Sequence, residues 1–71
     1  MMIKDWNTFM SRWDDLHRNG IMPYIRSATK EQRKEVNQLL SDMKSSLKWV
    51  RREDCINIYY KLKEIIDFNP Q

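Results

Sequence analysis

The stretch Val36-Asn37-Gln38-Leu39-Leu40-Ser41-Asp42-Met43-Lys44-Ser45-Ser46-Leu47-Lys48-Trp49-Val50 decides the fold. Its apolar residues Val36, Leu40, Met43, Leu47 and Val50 follow one another at spacings of 4, 3, 4 and 3. That rhythm draws a seam along one side of an α-helix, and Leu39 widens it. Upstream, Thr29 with Gln32 three residues on reads as a capping box. Glu31 adds negative charge to the first turn, where the helix dipole favours it. Downstream, the next seam positions are Asp54 and Asn57. The apolar line stops there. The sequence therefore predicts a helix over about residues 29–51, a break near Arg51–Asp54, and Asp54 as N-cap of a further helix over about 54–68.

That last helix carries the one ambiguous segment. Ile56, Ile58, Tyr60 and Leu62 alternate as a strand would, and β-branched and aromatic residues suit one. However, Cys55, Tyr59, Leu62 and Ile66 fit a helix, Ile65-Ile66 breaks the alternation, and no partner strand is visible. Helix is the favoured reading. On the N-terminal side, Trp6, Phe9, Met10, Trp13 and Leu16 form a stripe at three- and four-residue spacing, predicting a helix from about Lys4 to Arg18. Asp5 is its candidate N-cap, and Asn19-Gly20 its stop, glycine accepting the left-handed conformation at no steric cost. Residues 20–28 then form a short apolar connection, with Pro23 suited to begin one helical turn. Ile21, Met22, Tyr24 and Ile25 are too apolar for a solvated loop and are expected to fold over the core. The sum is an all-α single domain over residues 1–71, a small three-helix bundle, with the three tryptophans expected to supply much of its buried area.

With 71 residues, 41% hydrophobic and 32% charged, the chain is too short for a doubly wound nucleotide-binding fold or a barrel and too apolar for disorder. Cys55 has no cysteine to pair with and reads as a small buried hydrophobe. The N-terminal residues have no apolar run of signal-peptide type, and no stretch is apolar enough to cross a membrane, so a cytoplasmic setting is expected. Catalysis has little to work with. His17 is the lone histidine, with Asp14 one turn before it; it borders the Trp6/Trp13 stripe and reads as a partly buried, hydrogen-bonded side chain. No nucleophile pair, metal-ligand spacing or glycine-rich phosphate cradle is present. The expectation is a protein that is not an enzyme and carries no cofactor or metal.

Charge is the more informative signal. From Arg26 to Arg52 there are eight basic and three acidic residues, and the remainder has five basic and seven acidic. On a continuous helical wheel Lys30, Arg33, Lys34, Lys44, Lys48, Arg51 and Arg52 share an arc of about 100°. Glu31, Glu35 and Asp42 occupy another. Like charges at i, i+4 cost a helix a few tenths of a kcal/mol per pair, which argues mildly against a merely solvated face and leaves a binding face and a solvated one as even alternatives. Trp49 falls off the seam beside Lys48, Arg51 and Arg52, and Tyr60 lies away from the apolar arc of the last helix. These nine residues are the candidate partner-binding set. The leading expectation is a small regulator or inhibitor docking on a larger acidic-surfaced protein or ribonucleoprotein. Nonspecific or shape-dependent nucleic-acid binding is the second candidate, and a homodimer through the seam or the Trp6/Trp13 stripe is the third.

Overall fold

Asp5 opens the first helix by accepting hydrogen bonds from the Thr8 backbone N–H at 2.9 Å and the Thr8 hydroxyl at 2.8 Å. The computed structural model describes residues 5–68. Within it run α1 (Trp6–Leu16), a π-helical turn (His17–Ile21), α2 (Met22–Ser27), α3 (Lys30–Lys48) and α4 (Arg52–Phe68). The all-α bundle expected from the sequence is what forms, and residues 55–62 are helical. The expected helix start at Lys4 and the closing Asn69-Pro70-Gln71 lie outside the described residues.

The Asn19-Gly20 stop is corrected. Helical backbone continues through it: Leu16, His17, Ile21 and Met22 all have right-handed helical angles, and Gly20 has no positive φ. Asn19 instead donates a side-chain hydrogen bond to Asp15 at 2.7 Å, one turn back. Gly20 sits at a close approach rather than in a left-handed turn. A Cβ there would meet Leu16 Cδ1 at 3.0 Å and Ile66 Cδ1 of α4 at 3.6 Å. The π turn also corrects the phase. In an unbroken α-helix at 100° per residue, Ile21 would sit about 120° round from Phe9. The wider turn, closed by the Met22 N–H on the His17 carbonyl, rotates the following residues back. Ile21 and Tyr24 are thereby buried with Phe9. The predicted connection at 20–28 is thus mostly helix, Pro23 sitting in the first turn of α2, and Met22 is exposed.

Thr29 and Gln32 form the reciprocal capping box, at 2.9 and 3.2 Å, and start α3. Val36 and Met43 of its seam are fully buried, and Leu39, Leu40 and Leu47 pack partly buried on the core. The seam ends at Leu47, because α3 stops at Lys48 rather than Arg51. Val50 N–H bonds to the Leu47 carbonyl at 3.2 Å and Arg51 N–H to the Ser46 carbonyl at 2.9 Å, the two bonds of a Schellman stop. Val50, at φ 52°, occupies the left-handed position normally given to glycine, so its side chain is thrown outward instead of joining the seam. The turn returns the chain as α4 against α3, the principal helix pairing. Helix α4 begins at Arg52, so Asp54 is a first-turn acid beside Glu53 and not the cap.

Cys55, Ile58, Tyr59 and Leu62 face inward from α4, meeting Phe9 of α1. Burying side chains the size of Phe9, Met43 and Leu62 contributes roughly 1.5–3 kcal/mol each. Two expectations on core packing fail here. The core aromatics are Phe9, Tyr24 and Tyr59, whereas Trp6 and Trp13 are half-buried and Trp49 is exposed. Met10, expected on the inward stripe, is also exposed. Trp6 still contributes by stacking on Phe9 at 5.0 Å, whose ring meets Tyr59 edge-on at 5.8 Å.

Candidate binding surface

The Schellman stop divides the predicted basic arc into two surfaces. Lys30, Arg33, Lys34, Lys44 and Lys48 lie on α3, all exposed, and keep the shared face expected of them. Arg51 and Arg52 do not continue that face. Arg51 lies between the helices, and Arg52, the first residue of α4, places its guanidinium 5.3 Å from the centre of the Trp6 ring. The one-wheel arc fails because it carries helical geometry across a residue with positive φ.

At the α3–α4 corner an apolar knob emerges among cations. Trp49, the residue that caps α3, is 67% exposed, and Val50 beside it is 57% exposed. The Lys48 ammonium stands 5.7 Å from the Trp49 ring centre, close enough for a cation–π contact. Among the described residues the ion pair formed is Arg18–Asp14 at 3.1 Å, so Lys48, Arg51 and Arg52 have no carboxylate partner there. Glu53 and Asp54 follow in the first turn of α4, where the helix dipole stabilises them. They moderate the charge of the corner without neutralising it. Positive charge next to the carboxyl end of α3 is favourable for the same reason, which explains some, though not all, of this grouping.

Tyr60 is not brought to the corner. It sits two turns along α4 from Arg52, is 36% exposed, and its ring contacts Tyr59 edge-on at 5.2 Å. Trp6 is the corner residue that the sequence reading missed. Heptad spacing assigned Val50 to the seam, although it lies in the Lys48–Arg52 contact stretch, and the structure exposes it. A second surface was also unmarked: an open groove of about 790 Å³ between α3 and α4, whose apolar lining includes Leu39, Ile65 and Phe68. Phe68, on its wall, is 77% exposed.

The remaining chemistry is quiet. The Asp14 carboxylate pairs with Arg18, and the His17 ring lies partly buried against Trp13 at 5.7 Å. Cys55 is wholly buried. Burial, with the charge of Asp54 adding to it, pushes the thiol pKa up from its ordinary value. A thiol held neutral and out of solvent is a poor nucleophile. Among the described residues no three His, Cys, Asp or Glu side chains gather closely enough to hold a metal ion, and no helix is long and apolar enough to cross a membrane. The seam proposed for a homodimer is covered by the chain's own core at Val36 and Met43.

No protein-family model, curated protein or solved structure matches this chain, so its function has to be read from its own residues.

Proposed function

We propose that this chain is a small non-enzymatic binding module, a regulator or inhibitor, that docks on a larger protein with an acidic surface through its α3–α4 corner. One observation carries this reading: Trp49 and Val50 stand exposed side by side, with Lys48, Arg51 and Arg52 around them. Tryptophan and arginine are the residues that dominate binding energy at interfaces, usually as an apolar centre ringed by polar groups. The backbone supports the same reading. A β-branched residue in the left-handed region costs about 1–2 kcal/mol where glycine would cost almost nothing. Keeping an exposed valine there makes sense if its side chain fills a partner's pocket. The cations would orient the approach of an acidic partner, and Trp49 would hold it.

Affinity capture tests the reading. Nuclease-treated lysate of the source cells is passed over the immobilised wild-type chain, the Trp49→Ala variant and the Lys48→Glu, Arg51→Glu, Arg52→Glu variant, each checked for helicity. A protein retained by wild type and lost by both variants is expected. The Trp49→Ala substitution should cost about 2 kcal/mol, or roughly 30-fold in affinity. Capture that is equal across all three chains sinks the proposal.

A further inference from the structure

The cations of α3 form a surface that meets the corner only at Lys48, and its chemistry differs. Lys30, Arg33, Lys34, Asn37, Ser41, Lys44 and Lys48 follow one another along it, every one exposed. No carboxylate shares the arc; Glu31, Glu35 and Asp42 point elsewhere, and Asp42 is engaged by Gln38 at 3.3 Å. There is also no apolar or aromatic residue on it. Protein interfaces need an apolar centre, whereas a phosphate backbone needs only cations and hydrogen-bond donors.

We propose that this face of α3 lies across the major groove of duplex DNA, with Lys30, Arg33 and Lys34 on one phosphate backbone and Lys44 and Lys48 on the other. The spacing of the charges carries the assignment. At 1.5 Å per residue the centres of the two clusters are roughly 20 Å apart along the helix. Between them Asn37 and Ser41 are uncharged. A row that tracked a single strand would present a cation on every turn. Two clusters with a neutral centre instead match two backbones flanking a groove about 12 Å wide, with the long side chains reaching inward to each. Asn37 and Ser41 then face the groove, offering short polar groups but no bidentate arginine. Affinity without strong sequence preference follows. The like-charge pairs Lys30/Lys34 and Lys44/Lys48, mildly destabilising in the free chain, are relieved by the phosphates.

This function stands beyond the docking corner and is tested apart from it. Fluorescence anisotropy of a labelled 20-base-pair DNA duplex is titrated with the full chain from 50 to 200 mM salt. Five neutralised phosphates give a slope of log affinity against log salt of about −4.5. Arg33→Glu, Lys34→Glu, Lys44→Glu combined should weaken binding at least tenfold and flatten the slope. The matching triple alanine variant should show the same trend, which guards against a folding artefact of charge reversal. Trp49→Ala should bind DNA as wild type does, even if it loses a protein partner. The proposal is overturned by no binding at 50 mM salt, by a slope shallower than about −2, or by a triple variant as tight as wild type. Equal affinity for the single strand would also overturn it, as would retention by anionic lipid vesicles in the absence of DNA binding.

Discussion

Replacing Val50 with glycine should make the protein more stable. The native φ of 52° places a β-branched side chain in the left-handed region, at a position where the Schellman bonds to Leu47 and Ser46 require that conformation. Left-handed backbone costs an L-residue about 1–2 kcal/mol, and glycine is spared it. Against this, glycine makes the unfolded chain more flexible, at about 0.5–1 kcal/mol. Little packing is lost, because the valine is 57% exposed. The balance is a gain of about 0.5–1 kcal/mol. For a domain of this size that corresponds to a rise in Tm of about 2–8 °C. Thermal unfolding followed by circular dichroism at 222 nm, together with urea titration at 25 °C, reads it directly. Alanine at the same site keeps most of the backbone penalty and should gain far less. A Val50→Gly chain less stable than wild type by 1 kcal/mol or more would refute the reasoning, showing that Val50 packs or that the turn is not strained. Should stability rise while partner capture weakens, the valine is being kept for its exposed side chain at a cost to the fold.

Three further outcomes test the fold. Thr29→Ala removes one half of the capping box with Gln32 and should lower stability by about 1 kcal/mol, visible as a reduced urea midpoint with unchanged slope. Tyr24→Phe should be neutral or stabilising by up to about 1 kcal/mol, since the Tyr24 hydroxyl is buried with no hydrogen-bond partner among the described residues. A clear loss of stability in that variant would point to a bound water at the hydroxyl. Asp5 has its carboxyl pKa lowered below the ordinary 3.8 by the Thr8 side-chain and backbone hydrogen bonds. A lowered folded value means that the cap contributes above the unfolded pKa and is lost as pH falls through the folded one. The destabilisation by Asp5→Ala should therefore be full at pH 6 and fade below about pH 3.8, as measured by urea midpoints across that range.

What was legible in the sequence was what local chemistry decides. The Thr29/Gln32 box and the Asp5 cap need only residues within a turn of each other, and both form as read. The strand-like alternation from Ile56 to Leu62 yields to the helix, since Cys55, Ile58, Tyr59 and Leu62 share one buried face. What the sequence hid depends on distant contacts. Asn19-Gly20 carries a strong local stop signal, but the helix runs on, its glycine packed against Leu16, where a Cβ would crowd Cδ1 at 3.0 Å, with Ile66 of α4 next to it at ordinary contact distance. Val50 fits the heptad and carries no mark of a turn. Its outward placement follows from where α4 must return, and with it goes the division of one basic arc into a cationic helix face and an apolar, arginine-flanked corner. The five α3 cations and the off-seam position of Trp49 were readable from periodicity alone; the Arg52–Trp6 contact was not.

The most direct measurement on the docking corner is a chemical-shift map of the ¹⁵N-labelled chain titrated with the protein it captures. Binding through the corner predicts the largest shifts at the Trp49 indole N–H and at the amides of Lys48 to Arg52, with the Trp6 indole following through Arg52. Shifts centred on Leu39, Ile65 and Phe68, with the Trp49 indole unmoved, would contradict it and assign the partner to the α3–α4 groove instead.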